Sequence, residues 1–419
     1  MSAPRSLHDA NWLTSGPAAR VLALLNSDGE EARVVGGAVR NALLDLPVGE
    51  IDIATTALPE EVINRAKRAR IKSVPTGIEH GTVTLVIENK AFEVTTLRED
   101  VETFGRKAKV AFGRDWTRDA LRRDFTINGL SLSSDGVVHD DVGGLADIEA
   151  RRVRFIGEPA QRIAEDYLRI LRFFRIHAAY GQGEPDVAGY DACIAGRVGL
   201  CTLSAERIRM EMLKLVVAPG AGPALVAMDN AGLLGLTAGG VVYHGVFAKM
   251  VQAEAQLGLD PDPIRRLGAL AVAVTEDAKR LSQRLRLSNA ETKRLDSMGH
   301  RWWRLTDMDE DTARRRFYRI GDACRYRDRI MLAWARAGRD ATSSYWQNFV
   351  SLPDRWTPPA FPLKGGDFIA RGIAEGPALG HVLTLAEDAW LAAQFPMDAA
   401  ALKAIADETA VRFTRDHLL

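Results

Sequence analysis

Apolar and polar positions follow two different rhythms along this chain. Over the first 150 residues, short runs of strand character separate helical patterns. Ala32-Arg33-Val34-Val35 predicts a buried strand, followed by Gly36-Gly37 and a helical stretch over 38–46. Ile51-Asp52-Ile53-Ala54 predicts a second strand. Residues 59–70 predict a helix opening on Pro59, whose fixed φ suits a first turn. Two β-branched runs, 82–87 and 91–97, joined by Glu88-Asn89-Lys90, predict a hairpin. From about Arg151 the pattern is helical almost throughout, broken by Gly and Pro at 181–185, 219–223, 239–240, 261–263 and 358–362. The expectation is an α/β head followed by a long all-α extension.

Length and composition narrow the setting. At roughly 100–200 residues per domain, 419 residues hold two to four domains. No apolar run approaches the ~18 residues that cross a bilayer, and the first sixteen residues carry no signal-peptide pattern. Three cysteines, Cys193, Cys201 and Cys324, make neither a disulfide framework nor a zinc site, which points to a reducing, cytoplasmic location. Fifty-five basic and 55 acidic side chains cancel, so net charge does not argue for nucleic acid. Local charge changes the picture. Arg106, Lys107, Lys109, Arg114, Arg118, Arg122 and Arg123 crowd one segment, and Arg151, Arg152, Arg154, Arg162, Arg169, Arg172 and Arg175 another. Clustered cations suit phosphate binding, although composition leaves a solvated helix face equally open.

Several short motifs carry candidate chemistry. In Gly36-Gly37-Ala38-Val39-Arg40 a double glycine joins strand to helix, so free N–H groups can approach an anion and Arg40 can add a charge-assisted bond. Such a turn is also a common structural device. Glu50 and Asp52, at i and i+2 around a strand start, share one face and suit divalent metals; two ions about 4 Å apart activate an attacking hydroxyl and stabilise a leaving pyrophosphate. Their alternative is a solvent-facing acidic strand end. In Phe92-Glu93-Val94, alternation sets Glu93 opposite the apolar face, where it can join Glu50 and Asp52. Mg²⁺ is the hard cation that such oxygens favour. Arg122-Arg123-Asp124-Phe125-Thr126-Ile127-Asn128 offers Arg123 to a triphosphate or base, with Asp124 and Asn128 as capping or bracing groups. In 165–175, charged residues recur every third position, so Asp166, Arg169 and Arg172 form a slanting ladder on one helix, with Arg175 half a turn round. Asp166 and Arg169 are expected to pair at i, i+3 and to present donors and acceptors to a base edge. A plain salt-bridged helix is the other reading.

Together these segments resemble the class II CCA-adding enzymes and bacterial poly(A) polymerases, within the DNA polymerase β nucleotidyltransferase superfamily. The resemblance rests on residues 36–40, 50–55, 92–98, 122–128 and 165–169, with further landmarks at Gly143-Gly144, Asp147 and Ser204-Ala205-Glu206-Arg207. It is dense from about 33 to 215, with a weaker echo from Gly365-Gly366-Asp367 to Trp390. It implies an α/β nucleotidyltransferase head over 1–150, a helical neck over 151–225, a body over 226–300 and a tail over 301–419. It implies that Gly37 and Arg40 contact the triphosphate, that Glu50 and Asp52 hold Mg²⁺ with Glu93 as third carboxylate, and that Arg123, Asp166, Arg169, Arg172 and Arg175 form the nucleotide pocket. Asp166 and Arg169 would act as a protein template for C and A, the span 99–122 as a flexible loop, and the helical region as a grip on the tRNA acceptor arm.

The implied activity is addition of C and A to tRNA 3′ ends from CTP and ATP, with no membrane and no obligate protein partner. Poly(A) synthesis or partial (CC- or A-only) addition shares every motif named, and a catalytically weakened RNA-binding protein is a further alternative. Two departures bear on this. The family usually carries aspartate where this chain has Glu50, a ligand one methylene longer, and often aspartate where it has Asn41, a position expected to brace the turn.

Overall fold

In a computed structural model, which describes residues 6–104, 107–337 and 343–417, the chain folds as two compact units. One comprises Met1–His244 with Arg280–Leu287, the other Gly245–Lys279 with Ser288–Leu419.

The first unit is built on a seven-stranded sheet. Its strands are β1 (Ala32–Val35), β2 (Asp52–Thr55), β3 (Lys72–Gly77), β4 (Thr82–Ile87), β5 (Lys90–Thr96), β8 (Ser131–Leu132) and β9 (Val138–His139), in the order β3-β4-β5-β2-β1-β8-β9. Only β2 and β5 run parallel, with Ile53 opposite Val94. Val34, Ile53, Leu85 and Val94 are at most 1% exposed, because alternate side chains of the central strands face the helices. The expected hairpin and the first two strands are present. The helices end sooner than their apolar patterns suggest, at Gly37–Leu43 and Pro59–Arg68. Asp45 and Arg70 follow with positive φ, which a helix cannot carry.

After Arg98 the structure replaces the expected loop with a second sheet, in which β6 (Arg98–Phe104) pairs with β7 (Lys107–Phe112). The run Arg98-Glu99-Asp100 has no apolar alternation to announce it. Arg106 lies outside the described residues.

The helix Leu168–Tyr180 is fastened to the head by aromatic rings. Phe125 meets Phe155 at 4.9 Å, Phe155 stacks on Phe173 at 5.4 Å, and Phe173 lies edge-on to Phe174 at 5.3 Å. All four are at most 5% exposed. The apolar face of this helix is thereby fixed beneath residues 123–125, and its arginines emerge beside the Gly36-Gly37 turn.

The second unit is helical. Glu254 accepts ion pairs from Arg265 and Arg266, and Asp328 from Arg265 and Arg294, all within its interior. Further along, Phe368, Val382, Trp390, Ala406 and Phe413 form a core between the Pro377–Ala392 and Ala399–His417 helices. Among the described residues no helix is long and apolar enough to cross a membrane.

Candidate active site

A cleft of about 460 Å³ opens between the first strands of the head and the Leu168–Tyr180 helix. It is lined by Gly36, Gly37, Arg40, Asp52, Arg123, Asp124, Asn128, Asp166, Arg169, Arg172 and Arg175, all singled out in the sequence, and by Ile176. Five arginines against three aspartates give it the sign that suits a polyphosphate.

The floor is the β1-to-helix turn. Gly36 has φ 70°, ψ −122°, a backbone conformation that side chains rarely adopt. A Cβ there would also stand 3.4 Å from Arg123 Nη1. Arg40, one turn on, is only 6% exposed. Its guanidinium lies 3.7 Å above the Tyr180 ring and donates to the Tyr180 hydroxyl (2.7 Å), to Asn128 Oδ1 and to Asn41 Oδ1. Burial lowers its pKa from the ordinary arginine range. Most of its donors are thus committed to protein, and Asn41 braces the turn by donating in addition to the Pro47 carbonyl.

Asp52 opens β2 and enters the cleft. Its carboxyl is pushed above the usual carboxylate range, first by loss of surrounding water and then by Glu93 and Glu50, against a smaller opposing effect of Arg123. The parallel β2/β5 register, with Ile53 opposite Val94, sets Asp52 and Glu93 side by side. Glu50 is exposed and lies two residues ahead of the strand. Among the described residues no group of three or more His, Cys, Asp or Glu side chains is arranged to hold a metal ion, so Glu50, Asp52 and Glu93 do not converge as the expected three-carboxylate set. The mutual repulsion of Asp52 with Glu93 and Glu50 is of the kind a divalent cation relieves, provided waters and phosphate oxygens supply its remaining ligands.

The segment expected to form one helix over 165–175 differs from expectation. The Pro159–Glu165 helix stops before Asp166, which is extended (φ −156°, ψ 107°), and the next helix begins at Leu168. Asp166 and Arg169 therefore do not share helical i, i+3 geometry, and the expected ion pair between them is absent. Asp166 Oδ2 instead accepts from Arg207 Nη2 at 2.6 Å, and its Oδ1 from the Leu168 N–H at 3.1 Å. Arg169 donates through Nη1 to Glu165 (2.5 Å) and to the Arg162 carbonyl (2.7 Å). Arg172 bonds Asp124 through Nε (2.8 Å) and Nη2 (2.5 Å), and Arg175 donates to Glu211 (2.5 Å). Each cleft arginine on this helix is held by a carboxylate, Glu165 being shared with Arg162 and Glu211 lying within 3.8 Å of Arg172 as well.

The sequence does not mark those carboxylates as partners of the arginines. Asp124 also accepts from Asn128 and the Phe125 N–H. Burial alone would raise its pKa, but Arg172 first, then these donors, take it below the usual carboxylate range. Asp119, 2% exposed, holds Arg122 at 2.6 Å and Arg123 at 3.0 Å. Glu211 is 3% exposed on the apolar stripe Ile208, Met212, Leu215. A charge on such a stripe is a legible sign of an internal partner. The partner itself, 36 residues away, leaves no local mark.

A strand–turn–helix anion cradle beside paired carboxylates, facing a helix of braced arginines, defines a nucleotidyltransferase. Residues 32–154 match the family model described as Poly A polymerase head domain. The chain is 35% identical over 379 residues to CCA tRNA nucleotidyltransferase 1, mitochondrial, of Danio rerio, covering 88% of this chain and 85% of that one. It is 33% identical over 379 residues to the CCA-adding enzyme of Limosilactobacillus fermentum, covering 88% and 90%. The crystal structure of the Bacillus stearothermophilus CCA-adding enzyme in complex with CTP shares the fold, with a TM-score of 0.75 at 24% identity over 95% of this chain and 98% of that chain. This chain belongs to the CCA-adding tRNA nucleotidyltransferase family, and with the family comes a divalent-metal requirement.

Proposed function

We propose that this protein adds C, C and A to the 3′ end of tRNA, using CTP and ATP. The RNA 3′-oxygen bonds to the α-phosphorus of the nucleotide, the bond to the bridging oxygen breaks, and pyrophosphate leaves. The observation that carries this reading is the joining, in one cleft, of the Gly36-Gly37 turn, Asp52 and the Asp166–Arg175 segment.

Gly37 offers its backbone to the triphosphate, and Arg123, held by Asp119, approaches it from the side. Arg40 acts largely by fixing the turn and the end of the Leu168–Tyr180 helix through Tyr180. Glu50 and Asp52, with Glu93 as third carboxylate, would hold Mg²⁺, whose charge would then be available to the attacking oxygen and the leaving pyrophosphate. Asp166 and Arg169 face the base and choose C or A, the first fixed by Arg207 and the second by Glu165. Arg172 and Arg175, anchored by Asp124 and Glu211, wall the pocket. The helical neck, body and tail, over 151–225, 226–300 and 301–419, serve the tRNA acceptor arm. Three unbridged cysteines fit a cytoplasmic location.

The test is a primer-extension assay on tRNA lacking its CCA end, with the Asp52→Asn variant as control. Wild-type protein extends the RNA from CTP and ATP, whereas D52N, which keeps the side-chain shape, does not. Extension by D52N at the wild-type rate would overturn the assignment of Asp52.

A further inference from the structure

The helical second unit contains a group of arginines that the catalytic cleft does not use. Arg329, on the Ala323–Arg336 helix, is 9% exposed, and its Nε is buried without a hydrogen-bond partner. Its charged neighbours are cations. Burial, then Arg316 and Arg301, push the Arg329 pKa down to about 10. Arg316, on the Glu310–Ile320 helix, also has a buried Nε without a partner, while its Nη2 donates to the Arg304 carbonyl at 3.3 Å. That carbonyl belongs to the short turn Trp302–Leu305, which packs against the Arg329 helix. The turn is entered through Arg301 at φ 49°, ψ 41°, a left-handed conformation that an arginine adopts only at an energetic cost.

Elsewhere in this unit the buried arginines Arg265 and Arg266 have Glu254, and the partly buried Arg294 has Asp328. Among the described residues Arg329 and Arg316 have none within salt-bridge distance. A buried cation without a counter-charge is strongly unfavourable unless a ligand supplies one. Beside the cluster, Trp303 is 49% exposed and lies edge-on to Trp302 at 5.9 Å. Guanidinium forks match phosphate oxygens in pairs, and an exposed aromatic ring among them suits a nucleic-acid strand better than an acidic peptide.

We propose that Arg301, Arg304, Arg316 and Arg329 form a binding site for a backbone phosphate of the RNA substrate. The anion site stands on the cluster itself, and naming the RNA as tRNA rests on the function proposed above. Arg329 and Arg316 supply the inner charge, while Arg301 and Arg304 meet the strand at the surface. The role is in binding, separate from the chemical step.

The experiment is binding of tRNA lacking its CCA end to the full chain over a range of salt concentrations, for wild type, R329Q and the surface pair R301Q/R304Q. The dissociation constant of R329Q is expected to rise about tenfold, and the slope of log K against log salt to fall by about one for each phosphate no longer neutralised. KM for CTP and kcat at saturating tRNA stay unchanged. The melting temperature of R329Q stays level or rises, since an unpaired buried cation has been removed. If R329Q fails to fold, R301Q/R304Q carries the same expectation in a stable protein. Unchanged affinity and salt slope in both variants would overturn the site. So would stabilisation of wild type, but not R329Q, by millimolar inorganic phosphate with RNA affinity unaltered, since the site would then serve a small anion. A wild-type protein that binds tRNA in this way and adds no nucleotide would sink the proposed activity and leave the phosphate site standing.

Discussion

Arg207 Nη2 reaches Asp166 Oδ2 at 2.6 Å, tying the Ala205–Val216 helix to the break between two others. With Leu168 N–H on its second oxygen, Asp166 has both carboxylate oxygens oriented before any nucleotide arrives. A base edge is read by donors and acceptors of fixed direction, so this bracing is what a template residue needs. Asp166→Ala should lower selectivity against UTP and GTP by about ten- to a hundredfold, corresponding to ~1–3 kcal/mol of base-edge discrimination. Arg207→Met should lower it by a smaller factor while leaving kcat for CTP closer to wild type. Competition assays with all four triphosphates check both. A purely structural salt bridge would cost about 0.2–1 kcal/mol of stability and leave nucleotide choice unchanged.

Asp124 and Arg172 give a prediction in pH. Asp124 titrates below the usual carboxylate range because Arg172 and two N–H donors favour its charged form. Its stabilising contribution is therefore present above the unfolded carboxylate pKa of about 4 and is lost as pH falls through and below that value. Arg172 keeps 34% of its side chain exposed, so screening holds the effect below that of a fully buried pair. Asp124→Asn should destabilise the protein by about 1–3 kcal/mol at pH 7, and the difference between variant and wild type should shrink as the pH falls below the unfolded carboxylate value. A difference that persists unchanged at low pH would show that charge is not the cause.

How much of this is legible in the sequence depends on the range of each interaction. The strands around Val34, Ile53 and Val94 are, because their apolar runs report burial directly. The Gly36-Gly37 turn is too, since the positive φ at Gly36 restricts the residues that fit. The line of arginines at 169, 172 and 175 is visible as a spacing, but its partners are not. Nothing in Ala164-Glu165-Asp166-Tyr167 interrupts a helical pattern, so the sequence places Asp166 on a continuous helix; the break falls where Asp166 bonds Arg207 and the Leu168 N–H. Asp124, Glu211 and Arg207 become partners only when segments 36 to 48 residues apart are folded together. Single-sequence periodicity carries no information at that distance.

Gly36 offers a check on the floor of the site. Replacement by alanine adds a Cβ at φ 70° and 3.4 Å from Arg123 Nη1. Gly36→Ala should cost about 1–3 kcal/mol of stability from backbone strain and raise KM for CTP. Thermal denaturation alongside steady-state kinetics measures both, and an unaltered melting temperature would mean the turn relaxes without strain.

Glu50 sits ahead of β2, exposed, and still raises the Asp52 pKa. Glu50→Asp shortens the proposed ligand to the residue usual among class II CCA-adding enzymes and should match or exceed the parent rate in Mg²⁺. A loss of more than about tenfold would show that the site has adapted to the longer side chain.

Ordered addition of C, C and A is read straight from the sequence of the product RNA. Purified protein is incubated with tRNA lacking its CCA end, CTP, ATP and Mg²⁺, and the extended RNAs are sequenced. The expected products end in CCA, with CTP alone giving CC and no further extension. Runs of A added without C, or RNA recovered at its starting length, would contradict the account.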